Sequence, residues 1–72
     1  MARQFDVIIE RDVEGYFVAS VPALPGCHTQ AKSLDVLMER VQEAVELYLE
    51  VEGLPAEELD FVGVQRITVA AA

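Results

Sequence analysis

The sequence predicts an α+β protein of two layers with the element order β-β-β-α-β. The sheet is expected to be mainly antiparallel, with one amphipathic helix on one face and the last strand beside the first. Three observations lead to this prediction: two strand-like segments flank a turn, a long stretch has apolar residues at helical spacing, and a β-branched segment follows it. A chain of 72 residues fits one domain, 1–72.

The first two predicted strands form a hairpin. Residues 4–11 (QFDVIIER) are rich in β-branched and aromatic side chains, and residues 16–21 (YFVASV) have the same character. Between them, Asp12 to Gly15 supply turn chemistry, since glycine adopts positive φ without steric cost.

A stiff loop is expected after the hairpin. Pro22 and Pro25 cannot donate ladder hydrogen bonds, so regular pairing should stop there. Residues 27–31 (CHTQA) then predict a short third strand, and Ser33 is placed to cap a helix.

One helix is predicted over residues 34–51. Its apolar residues recur at steps of three and four: Leu34, Leu37, Met38, Val41, Ala44, Val45 and Tyr48. Its acidic residues fall on the other side, and Gly53 followed by Pro55 should end it. Residues 61–69 (FVGVQRITV) predict the last strand.

The charge pattern narrows the possible functions. Thirteen acidic and five basic residues give a net charge of −8, which repels nucleic-acid phosphates and anionic membrane surfaces and attracts a basic protein. The solitary Cys27 fits a reducing compartment, and the sequence has neither a signal-peptide pattern nor a membrane-length apolar run. We therefore expect a cytoplasmic protein that binds neither nucleic acid nor membrane.

No complete set of reactive groups is recognisable. Cys27 and His28 are neighbours in an extended segment, so their side chains should point to opposite faces and cannot act as nucleophile and base. One Cys and one His do not make a metal site without further ligands. The sequence predicts no catalytic residue, no cofactor and no metal. Residues in the loop and at strand starts are candidates for partner binding: Tyr16, Phe17, Leu24, Pro25 and His28.

One motif is specific. The segment Pro-Ala-Leu-Pro-Gly-Cys at residues 22–27 lies between a strand that begins Gly15-Tyr16 and a helix that contains Glu43-Ala44. In this order the sequence resembles the HicB-like antitoxin family over about residues 5–51. The resemblance implies a truncated ribonuclease H-like fold, with a right-handed crossover that brings the last strand beside the first.

The resemblance also implies a function. Members of the family bind and silence a small basic mRNA-cleaving toxin of the HicA type, and an acidic domain suits that partner. Two departures are visible: Ala31 stands where the family often has glycine, and the DNA-binding domain common in full-length members is not seen in these 72 residues. We therefore expect a solitary HicB-like domain without promoter binding of its own.

Two alternatives remain. Because a core of this size gives only marginal stability, the chain is expected to form a homo-oligomer. The first alternative is therefore a stand-alone interaction module without a toxin. The nuclease-like fold also suggests a metal-dependent nuclease, in which Asp6 and Glu43 would supply two carboxylates. That alternative lacks a third ligand, because Asp60 lies at the wrong end of the last predicted strand.

Overall fold

The α+β class is confirmed by the structure, a computed structural model that describes residues 3–55 and 59–71. Three antiparallel strands are followed by one helix: β1 spans Ile8–Arg11, β2 spans Phe17–Ser20, β3 spans His28–Ala31 and α1 spans Leu34–Glu52. The strands are shorter than predicted, while the helix matches its prediction within one residue.

The sheet has the order β1-β2-β3, so β2 is central. Ile8 lies opposite Ser20, and Ser20 lies opposite His28. The predicted first strand begins at residue 4, but pairing starts only at Ile8. Two residues before Ile8, the opposite position on the β2 side is Pro22, which has no N–H to donate.

Asp12 organises the hairpin turn. Its carboxylate Oδ1 accepts hydrogen bonds from the main-chain nitrogens of Glu14 (3.0 Å) and Tyr16 (2.9 Å). Its main-chain oxygen accepts from Gly15 N (3.2 Å), and Gly15 has φ +90°. This is a three-residue hairpin loop with glycine in the left-handed position, as predicted from the turn chemistry.

Helix α1 begins and ends with the signals read from the sequence. Ser33 Oγ accepts a hydrogen bond from Val36 N at 3.2 Å, and Gly53 N donates to Leu49 O at 2.9 Å with φ +75° at the glycine. In the described part of the chain, no helix combines the length and the apolar character needed to cross a bilayer.

The core lies between the helix and the strands β2 and β3. Ala19 of β2 and Ala31 of β3 are buried, and their small size lets the helix approach the sheet closely. Leu37 is fully buried, and removing its side chain from water contributes about 2 kcal/mol to the folding stability. The buried residues are Ala19, Val21, Leu24, Cys27, Ala31, Leu37 and Val41.

The predicted last strand, residues 61–69, is not formed. Residues 59–71 have no strand conformation, and side chains such as Val62 (95% exposed) and Ile67 (79% exposed) face solvent. The segment reaches the start of the sheet, since residues 59–63 lie beside residues 3–6, but it does not pair with β1. A strand-like sequence becomes a strand only where a neighbouring backbone supplies hydrogen bonds.

Candidate protein-binding surface

The loop between β2 and β3 consists of two consecutive β-turns. Leu24 N donates to Val21 O (3.0 Å), and Cys27 N donates to Leu24 O (2.9 Å). A third bond, from Val21 N to Cys27 O at 3.0 Å, closes the loop at its base. Three main-chain hydrogen bonds within seven residues restrain this loop, which the two prolines of the sequence predict to be stiff.

Each turn has proline in its second position. Pro22 and Pro25 set the φ value that this position requires. In the second turn Gly26 follows Pro25 with φ +83°, which is the geometry of a type II turn. The Pro-Gly pair of the motif therefore has a direct structural reason.

Leu24 anchors the loop instead of lying on its surface. Its side chain has no exposed surface, and Cys27 is buried beside it in the core. Leu24 was a candidate contact residue, but a fully buried side chain cannot touch a partner while this conformation holds. The exposed parts of the loop are Pro22, Pro25 and Gly26.

Pro25 and His28 lie at the same end of the sheet, and both are exposed. His28 lines a shallow depression of about 300 Å³ together with helix residues that include Leu47, Tyr48 and Val51. Leu47 is 61% exposed and Val51 is 70% exposed. An apolar surface therefore extends from the loop to the last turns of the helix.

Tyr16 and Phe17 lie at the opposite end of the sheet, about 10 Å along β2 from the residue paired with His28. Both are half-buried. Lys32 Nζ lies 5.2 Å from the centroid of the Tyr16 ring, and Arg11 Cζ lies 5.6 Å from that of Phe17. Phe17 also packs against the core. The structure thus separates the five predicted residues into two exposed ones at one end, two half-buried aromatics at the other and one core residue.

Leu47 and Val51 line the depression but are not among the contact residues predicted from the sequence. They lie four positions apart on the helix but outside the stripe that faces the sheet, and both are exposed. Apolar residues displaced from the buried stripe are the signal that could have identified them.

The outer side of α1 is strongly acidic. Its only cation is Arg40, whose Nη1 donates to Gln30 O at 2.7 Å. Its carboxylates are all exposed: Asp35, Glu39, Glu43, Glu46, Glu50 and Glu52. Carboxylates on adjacent helical turns reinforce one another's field, so this helix attracts cationic groups over about one Debye length, roughly 10 Å at moderate salt.

The neighbours Cys27 and His28 do not form a reactive pair. Cys27 is buried and His28 is exposed, in agreement with the alternation of an extended chain. Burial raises the pKa of the Cys27 thiol above its ordinary value, which disfavours the nucleophilic thiolate. Within residues 3–55 and 59–71, no three His, Cys, Asp or Glu side chains converge as a metal site would require.

The described residues thus combine a loop of two β-turns, an apolar depression and an acidic helix on a small α+β scaffold. Comparison with known families matches residues 5–65 to the HicB-like antitoxin of bacterial toxin–antitoxin systems. The chain belongs to this family.

Three relatives are similar over nearly their whole length. A UPF0150 protein of Archaeoglobus fulgidus is 61% identical over 66 residues, which cover 92% of this chain and 94% of the relative. A UPF0150 protein of Synechocystis is 37% identical, and the match covers 93% of this chain and 96% of the relative. A UPF0150 protein of Thermoplasma acidophilum is 38% identical, covering 94% and 99% respectively.

Proposed function

We propose that this protein is an antitoxin-type binding domain that sequesters a small basic toxin, of the HicA-like class that cleaves mRNA. Its role is to occlude the toxin by binding, without catalysis, cofactor or direct contact with nucleic acid. The observation that carries the proposal is the exposed acidic side of α1 next to an apolar depression, in a chain of the HicB-like antitoxin family.

Charge and apolar surface have separate tasks in this proposal. The carboxylates of α1 steer a cationic partner toward the helix and raise the association rate. The depression around Leu47 and Val51 then supplies the apolar contact that slows dissociation. An RNA-cleaving toxin needs cations to hold its substrate, so a carboxylate-rich surface that covers those cations prevents RNA from binding.

The loop gives the surface a fixed shape. Pro25 and His28 are proposed contacts at the edge of the depression, and Leu24 holds the loop from inside. Because the loop is already ordered, little conformational entropy is lost on binding. Tyr16 and Phe17 are proposed to form a second contact at the other end of the sheet. The expected place of action is the cytoplasm, where a toxin that cleaves mRNA meets its substrate.

The direct test is co-purification with a small basic protein encoded beside this one. We expect a stable complex at low salt and rescue of growth when both are expressed. Leu47→Ser should weaken the complex, while Val13→Ser, at the fully exposed hairpin tip, should not. Failure to associate at low salt, or equal effects of the two substitutions, would refute the proposal.

A second candidate is a stand-alone homo-oligomeric interaction module without a toxin. The observation in its favour is the number of large apolar side chains left exposed, including Val62, Val64 and Ile67. Light scattering that finds a monomer at every concentration would exclude it.

A further inference from the structure

The segment of residues 61–69, here called the 61–69 arm, exposes apolar side chains that a folded chain normally buries. Val64 and Val69 are each 70% exposed, and Val62 and Ile67 are more so. Five of the nine residues are β-branched, which favours extended pairing. The arm has the sequence of a strand but no partner strand in the described part of this chain.

The outer edge of β1 offers a place for such a strand. One edge of β1 pairs with β2, and no strand of the described residues pairs with its other edge. Just before β1 along the chain, a groove of about 550 Å³ lies between residues 3–7 and the helix. Its apolar lining includes Phe5, Val7, Met38, Val45 and Leu49. A strand that pairs with β1 and continues beside residues 3–7 would place alternate side chains toward this groove.

We propose that the 61–69 arm pairs with the β1 edge of a second copy of this chain, and that the two copies exchange their arms reciprocally around a two-fold axis. The occupant of each groove is then the arm of the other copy. This assembly is independent of any toxin, because the groove by β1 does not include the depression around Leu47 and Val51.

The extended shape of the chain supports exchange between copies. Its radius of gyration is 14.1 Å, whereas a compact chain of this length has about 11 Å. Residues 59–63 lie near residues 3–6 at the start of the sheet, yet residues 64–71 are exposed and do not pair with β1. An element held away from its own domain while the matching site stays open is the arrangement that reciprocal exchange requires.

The edge of β1 is a better acceptor than the edge of β3. β3 is His-Thr-Gln-Ala, with no large apolar side chain, whereas β1 begins with two isoleucines and Ile9 is 43% exposed. An open apolar edge favours pairing with another strand, and covering it with the arm of a second copy limits non-specific aggregation.

The association of the exchanged dimer should have a salt dependence different from that of toxin binding. Each copy carries a net charge of −8, so two copies repel and added salt should strengthen their association. Binding of a basic toxin should respond in the opposite way. Failure of this proposal can therefore be told apart from failure of the antitoxin function.

The test is sedimentation equilibrium of the full chain and of two variants with the same added charge. We expect a wild-type dimer at micromolar concentration that tightens with salt. Ile67→Glu should weaken it about tenfold or more, and Val13→Glu should change it less than about twofold. Because both sites are exposed in the free chain, neither variant should lose its helical circular dichroism signal.

A mixed sample of isotope-labelled and unlabelled copies locates the arm. Nuclear Overhauser contacts between Ile67 of one copy and Phe5 or Val7 of the other are expected. A monomer at every concentration, a dimer that Ile67→Glu leaves intact, a dimer that both variants weaken equally, or Ile67 contacts confined within one copy would each overturn the exchange.

Discussion

The guanidinium of Arg40 on the helix donates a hydrogen bond from Nη1 to the main-chain oxygen of Gln30 on β3, 2.7 Å away. This exposed bond ties the helix to the strand beside the buried contacts of Leu37 and Val41. It also directs the only cation of α1 toward the sheet, while the six carboxylates of the helix are exposed.

Replacing Arg40 by methionine should lower the free energy of unfolding by about 1 kcal/mol, because the bond from a charged donor to Gln30 O is lost while the aliphatic packing is kept. Urea denaturation measures this. Arg40→Lys keeps the charge and should lose less. Wild-type stability in Arg40→Met would show that the bond contributes nothing.

The hairpin depends on the carboxylate of Asp12. Asp12→Ala removes the acceptor of two main-chain hydrogen bonds and should lower the free energy of unfolding by about 1–2 kcal/mol. Asp12→Asn keeps an accepting oxygen and should lose less than half of that. The two variants are compared by urea denaturation, and equal stabilities would show that the Asp12 carboxylate does not stabilise the turn.

Comparing Gly26 with Gly63 measures backbone strain in the absence of steric crowding. Gly26 has φ +83°, Gly63 has an ordinary φ, and neither has an atom within 4 Å of where a Cβ would lie. Gly26→Ala should therefore cost about 1 kcal/mol of folding stability through strain alone. Gly63→Ala should change stability by less than about 0.5 kcal/mol. Thermal denaturation of both variants checks this, and an undisturbed Gly26→Ala variant would contradict the type II turn.

The buried thiol predicts a pH dependence. Burial raises the pKa of Cys27 in the folded chain, so the native state holds this proton more firmly than the unfolded state does. Its contribution to stability is complete below the ordinary thiol pKa and is lost as pH rises through the folded pKa. Wild-type stability should fall more steeply than that of Cys27→Ala between about pH 8 and pH 10. Parallel curves for the two proteins would contradict this.

Local chemistry made most of the fold predictable from the sequence. The turn at Asp12, the cap at Ser33 and the glycine at position 53 each act within a few residues, and the structure has them where the sequence placed them. The spacing of apolar residues also predicted which side of the helix is buried, and Leu37 and Val41 on that side are both buried.

What the sequence did not predict depends on contacts between distant segments. Leu24 is in a loop, and only the two turns around it direct its side chain into the core. The first strand is shorter than its pattern because Pro22 stands across from it. The 61–69 arm has a strand-like composition, but in the structure it does not pair with the open edge of β1.

The most direct test of the antitoxin account is the affinity for a basic protein encoded beside this one, measured by titration calorimetry at low salt. Glu46→Gln with Glu50→Gln removes two charges from the helix, and Glu10→Gln with Glu14→Gln removes two from the hairpin. We predict that the helix pair weakens binding about tenfold and that the hairpin pair changes it less than about twofold. Equal losses for the two pairs, or no loss from the helix pair, would contradict the account.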